Sequence, residues 1–301
     1  MRRISALLSA LTATALVATL AGCAPASSEA DDTGLTIVAS TNVYADVARQ
    51  IAGDGVTVTA IIDSDAKDPH EYEASAQDQL AVSKADLLIE NGGGYDDFFD
   101  LLIDASGNEI ATVLNAVEIS GFDQGDGELN EHVWFDLGTI ANVATAIEQE
   151  LTALDADNAA VYQDNAAAFM DDINALIDNR TALAEQVAGE SVAVTEPLPL
   201  YLLDALALVN ATPPAFSEAI EEGVDAPADV MQEMLDLFAE QTVSLLVINE
   251  QTTGPQTDAV LSAALTAGIP VVGLTETLPE GDDYQTWMAA NLEKIGTQLG
   301  H

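Results

Sequence analysis

The chain runs to 301 residues, 49% of them hydrophobic, and sets 51 acidic groups against 7 basic ones for a formal net charge of −44. So negative a chain repels phosphate backbones and anionic ligands, which removes nucleic acid from the expected partners. The charge is spread along the whole chain, as on a solvated acidic surface, and the 5% aromatic content supplies few platforms for stacking sugars.

Arg2 and Arg3 open the chain, and residues 4–20 follow as a small, apolar stretch too short and too rich in Ala, Ser and Thr for a bilayer span. Leu20-Ala21-Gly22-Cys23 comes next and resembles the lipobox of a bacterial lipoprotein signal. That resemblance implies cleavage before Cys23 and a lipid on its thiol; the alternative is an ordinary signal peptide with an incidental cysteine. Cys23 is the single cysteine, so no disulfide forms within one chain. Residues 24–34 are small, polar and acidic and read as a tether. Beyond the signal no apolar run approaches about 20 residues, so no membrane span is expected in the mature protein.

The remaining length suits about two domains of ordinary size. Strand-like runs at 35–40, 56–62, 86–90 and 112–115 alternate with helical spacing at 43–51, 75–84 and 96–103, an order that predicts a parallel sheet. An acidic loop at 121–131 follows. Helical patterns then fill 137–154 and 155–187, the second long enough, at about 48 Å, to serve as a spine between two lobes. A second alternating set has strands at 191–195, 243–249 and 270–274 and helices at 200–209, 226–240, 257–267 and 283–299. The expected organisation is a signal at 1–22, a lipidated tether at 23–34, an N-terminal α/β lobe at 35–154, a linker helix at 155–188 and a C-terminal α/β lobe at 189–301.

Two of the three histidines stand among carboxylates, in Asp68-Pro69-His70-Glu71-Tyr72-Glu73 and Asn130-Glu131-His132-Val133-Trp134-Phe135-Asp136. Imidazole beside carboxylate is a donor mixture that suits first-row divalent cations. Both fall in loops beyond strand ends, where ligands collect in open parallel sheets. The third, His301, is the chain end and reads as frayed.

These strings, with Lys84-Ala85-Asp86-Leu87-Leu88-Ile89-Glu90-Asn91-Gly92 and the long central helix, make the chain resemble the extracytoplasmic metal-binding proteins of ABC importers for zinc and manganese. The resemblance implies two α/β lobes joined by one rigid helix, with a single divalent cation held by four side chains between them. It assigns His70 and His132 as the two histidines of the first lobe. Glu196, after the first strand of the second lobe, takes the third place, where the family has His or Glu. Glu276, after the last strand, takes the fourth, where the family usually has Asp; Glu250 is its rival. Asp136 either orients His132 or begins the following helix.

The implied function is a lipid-anchored, monomeric receptor on the outer face of the cell membrane. It captures one divalent ion, Zn or Mn, and delivers it to an ABC permease without covalent chemistry. Glu196 in place of a third histidine leans toward Mn²⁺, although Zn²⁺ binds the same groups more tightly by the usual affinity order. The His-rich loop frequent in zinc-serving relatives is missing from 121–131. The alternatives are a surface adhesin with a structural metal and, less favoured, a metallohydrolase; the chain has no HExxH motif to support the latter.

Overall fold

The structure is a computed structural model and describes residues 34–64, 72–122 and 129–301. The signal, Cys23, the tether before Gly34, and His70 lie outside the described residues.

The N-terminal half takes β1 (Thr36–Thr41), α1 (Asn42–Ala52), β2 (Thr57–Ile62), α2 (Ala76–Val82), β3 (Leu87–Glu90), α3 (Asp97–Ser106), β4 (Thr112–Asn115), α4 (Ala116–Ser120) and α5 (Leu137–Leu154). Helix α6 (Ala159–Val187) leads to the C-terminal half: β5 (Ser191–Val194), α7 (Leu200–Ala205), β6 (Val209–Asn210), α8 (Pro214–Glu221), α9 (Ala228–Ala239), β7 (Leu245–Asn249), α10 (Pro255–Ala267), β8 (Val271–Leu274) and α11 (Tyr284–Gln298). Each half holds one four-stranded sheet, ordered β2-β1-β3-β4 in the first and β6-β5-β7-β8 in the second. Every pairing is parallel. The expected α/β class with two parallel sheets is therefore what forms. Continuous apolar runs such as Leu87-Leu88-Ile89 and Leu245-Leu246-Val247 are buried on both faces, as parallel strands covered by helices require.

Most expected elements appear within a residue or two of their expected bounds. The helix expected over 200–209 stops at Ala205, because Ala207 turns to φ 55° and the chain enters the two-residue strand β6. Helices α4 and α8 and strand β6 have no counterpart among the expectations. The long helix begins only at Ala159, after a 3₁₀ turn over Ala156–Asn158.

Helix α6 is mostly polar and buries a narrow stripe of Tyr162, Phe169, Ile173 and Leu176. That stripe serves both halves, since α6 packs against α1 and α5 on one side and α7 and α11 on the other. The main core runs without a break from Ile37, Trp134 and Phe135 through α6 to Val194, Trp287 and Ile295. A reciprocal pair of hydrogen bonds adds to the join: Asn42 Nδ2 donates to the Leu278 carbonyl (2.8 Å) and Leu278 N donates to Asn42 Oδ1 (3.0 Å). Tyr284 Oη donates to the Trp134 carbonyl at 2.7 Å. Among the described residues no helix is long and apolar enough to cross a membrane.

In an order such as β2-β1-β3-β4 the connections leaving the two central strands diverge, and the gap at their carboxyl ends is where such sheets bind ligands. That gap follows β1 and β3 in one half and β5 and β7 in the other.

Candidate metal centre

His132 is fully buried between the acidic loop and the 3₁₀ turn Val133–Phe135, whose three side chains fix it to the core. Its ring lies edge-on to Tyr95 and Trp134. Asn130 sets its tautomer. Asn130 Nδ2 donates to the Pro197 carbonyl at 3.0 Å, which fixes the amide and turns Oδ1 toward the imidazole. Oδ1 can only accept, so His132 Nδ1–H donates to it across 2.7 Å, which in the neutral ring leaves the lone pair on Nε2. Asp136 serves a different purpose from orienting the ring: its Oδ2 accepts from Thr139 N (2.7 Å) and Thr139 Oγ1 (2.9 Å), capping α5.

Glu196 lies two residues beyond β5 and Glu276 two beyond β8, and both are buried. One amide holds the pair: Asn249 Nδ2 donates to Glu196 Oε2 at 2.5 Å and to Glu276 Oε1 at 2.6 Å. Asn249 is itself positioned by its backbone N, which donates to Thr195 Oγ1 at 3.1 Å. Glu276 is steadied further by its backbone N donating to Gln251 Oε1 (2.6 Å) and by Tyr95 Oη donating to its Oε2 (3.2 Å). Tyr95 therefore touches both the imidazole and a carboxylate from the other half.

Glu196 Oε1 is buried and has no hydrogen-bond partner among the described residues. Burial pushes the Glu196 carboxyl up to about 8, with Glu221 and Glu276 adding repulsion and the Asn249 hydrogen bond opposing it. A divalent cation relieves each of these raising effects. Glu250, the rival fourth position, is exposed and turned elsewhere, with its carboxylate over the Gly273 backbone in the space that a Cβ there would fill. His301 Nε2 stands 4.0 Å from Glu190 Oε1 in a terminal surface pair.

The sequence reading missed Asn130, Tyr95, Asn249 and Glu221. The last sits at the end of α8 with its Oε1 3.4 Å from His132 Nε2. Among the described residues, ligand-type atoms of Glu131, His132 and Glu221 come within 4.8 Å of one another. Pro213-Pro214, with a proline at the first helical position, and Gly223 beyond the end were the available signal for α8. Outside these groups a cleft of about 720 Å³ is lined by Asn130, Glu131, Pro197, Glu218, Glu221 and Glu222.

Two parallel sheets whose carboxyl edges carry a buried imidazole and buried carboxylates, linked by Tyr95 between His132 and Glu276 and by Asn249 between Glu276 and Glu196, define a two-sheet α/β protein with a buried polar centre. The chain belongs to the family of the periplasmic zinc-uptake complex component A (ZnuA), whose model matches residues 37–298. It is similar to the manganese-binding lipoprotein MntA of Halalkalibacterium halodurans, 31% identical over 138 residues that cover 46% of this chain and 45% of that protein. The chain thus spans about half the length of the curated relatives it matches. Its fold is similar to that in a crystal structure of ZnuA, with TM-score 0.74, 21% identity, and coverage of 88% of this chain and 99% of that one. The Cd-bound periplasmic metal-binding protein from candidatus liberibacter asiaticus gives TM-score 0.72 at 19% identity, with the same coverage.

Proposed function

We propose that this protein captures one divalent transition-metal cation, Zn²⁺ or Mn²⁺, between its two halves and delivers it to an ABC permease. The observation that carries this reading is the link across the halves: Tyr95 touches both the His132 ring and Glu276, and one amide, Asn249, holds Glu276 beside the buried Glu196. His70 completes the set as a second imidazole. In this reading residues 35–154 and 189–301 act as lobes and 155–188 as the linker. The core shared along α6 supports modest motion between them rather than wide opening. The chain acts at the outer face of the membrane, tethered by a lipid on Cys23, as a monomer and without covalent catalysis. The names of the relatives, a manganese-binding lipoprotein among them, support that placement.

The two imidazoles and two carboxylates of this set balance the charge of a dication and present the nitrogen and oxygen donors that zinc, manganese and iron accept. Calorimetric titration of the metal-stripped protein with Zn²⁺ and Mn²⁺ tests the reading. One saturable site that is lost in His132→Ala supports it; no saturable site, or parental binding by that variant, overturns it.

A further inference from the structure

We infer that Asn42 is a positioning residue of the cation site: from the N-terminal half it grips the loop of the C-terminal half that carries Glu276, and so sets where that carboxylate stands. The inference rests on the metal-capture reading above and extends it to a side chain that does not itself bind the ion.

The first argument is geometric. Asn42 Nδ2 donates to the Leu278 carbonyl at 2.8 Å and Leu278 N donates to Asn42 Oδ1 at 3.0 Å, both bonds buried and 236 residues apart in sequence. A side-chain amide sets a donor beside an acceptor, which matches the C=O and N–H of a single residue. Leu278 is two residues beyond Glu276, and the chain between them has little freedom of its own. Gln251 Oε1 accepts from Glu276 N (2.6 Å) and Thr277 N (3.2 Å), and Thr275 Oγ1 donates to the Thr277 carbonyl (2.9 Å). The loop is thus held at 276 and 277 by its own half and at 278 by the other.

The second argument is what Asn42 forgoes. It is the first residue of α1 and leads into the fully buried Val43, Tyr44 and Ala45, so its own placement is rigid. Asparagine at a helix start ordinarily serves its own helix by accepting from a free backbone N–H. Here both ends of the amide go to Leu278, and Thr41 before it caps nothing with its side chain. The amide serves the Glu276 loop rather than α1.

The repeated topology gives the third. Ala39 beside β3 matches Val194 beside β7, so Asn42 occupies in the first half the place of Pro197 in the second. The Pro197 carbonyl accepts from Asn130 Nδ2, in the connection after β4, while Leu278 lies after β8. Each half therefore grips, at the same position, the loop after the fourth strand of the other. Each gripped loop carries a candidate ligand two residues away, His132 from Asn130 and Glu276 from Leu278. The two crossings together set these ligands relative to each other.

The test uses the full chain in detergent as parent, Asn42→Ala, Asn42→Asp, Gln50→Ala and His132→Ala. Asn42→Asp is isosteric and favoured at a helix N-terminus, yet it replaces the donor to the Leu278 carbonyl by an acceptor. Gln50 makes a comparable reciprocal amide pair with Gln285, 2.8 Å each way, between α1 and α11 but away from the Glu276 loop. Hydrogen exchange of the metal-free chain should rise at residues 276–278 in both Asn42 variants and stay parental there in Gln50→Ala. Calorimetric titration with Mn²⁺ and Zn²⁺ should show at least tenfold weaker binding for Asn42→Ala, at least fivefold for Asn42→Asp and less than twofold for Gln50→Ala. Parental affinity in either Asn42 variant, or an affinity loss equal to that of Gln50→Ala with exchange raised evenly along the chain, overturns the assignment. Failure of the capture reading looks different: the parent then shows no saturable site, or His132→Ala binds as the parent does.

Discussion

The two halves share a strand order but use the same position for different ends. Ala39 pairs with Ile89 in the first sheet and Val194 with Val247 in the second, and an asparagine lies two residues beyond each partner, Asn91 and Asn249. Asn91 spends its amide on the chain: its Nδ2 donates to the carbonyls of Gly92 (2.8 Å) and Glu131 (2.9 Å), and its Oδ1 accepts from Tyr44 Oη. Asn249 spends its amide on two carboxylates. The neighbouring strand differs in the same sense, with Thr41 where the other half has Glu196. One fold thus provides a scaffold edge that braces the His132 loop and a charged edge that gathers two buried carboxylates. What decides the role is the residues placed at the switch point, not the topology.

The largest expected effect breaks the site across the halves. His132→Ala should lower Zn²⁺ and Mn²⁺ affinity by at least about a hundredfold, and His70→Ala similarly, because each removes a donor outright. Circular dichroism melts of the metal-free variants check that both remain folded, with His132→Ala giving up the ring contacts to Tyr95 and Trp134. Parental affinity in both would end the four-ligand assignment.

A paired substitution at the two asparagines sharpens the comparison. Asn249→Ala leaves Glu196 and Glu276 without their common donor and should weaken metal binding about 10- to 100-fold, the size typical of removing a group that orients ligands. Asn91→Ala should act on stability instead. It strips three hydrogen bonds, two of them fully buried, and should lower the unfolding free energy by about 2–4 kcal/mol while changing affinity less than about fivefold. Urea melts and calorimetry on both variants check the split; equal effects on affinity would erase the distinction between the halves.

The sequence carried the parallel sheets because β-branched runs and helical spacing alternate cleanly, and it carried the histidines because imidazole is scarce and stands beside acids. Only the family resemblance singled out Glu196 and Glu276, and their burial was not legible, since among 51 acidic residues no local pattern separates a buried carboxylate from a solvated one. Asn130, Asn249 and Tyr95 were not legible at all. Their importance arises from contacts such as Asn130 to Pro197, 67 residues away, and Tyr95 to Glu276, 181 away. Helix α8 was lost between two strand signals, one of them only two residues long. With it went the helix that carries Glu221 to within 3.4 Å of His132.

The smallest expected effect concerns the residue just before each asparagine, Glu90 in one half and Ile248 in the other. Glu90 ends β3 almost fully buried, and burial raises its carboxyl to about 7, with Asn115 Nδ2 donating to its Oε1 in partial compensation and Asp100 and Asp96 adding repulsion. A carboxyl whose folded value lies above its unfolded value of about 4.5 favours the folded state at low pH, and that contribution disappears as pH rises from about 4.5 through 7. Glu90→Gln keeps an acceptor for Asn115 and removes the buried charge. At pH 8 it should be more stable than the parent by about 1–2 kcal/mol, and near pH 4.5 the two should agree within about 0.5 kcal/mol. Urea melts at both pH values measure this. A variant less stable than the parent at pH 8 would mean that the β3 edge needs its anion, and that the N-terminal half, like the C-terminal one, keeps a carboxylate there for its charge.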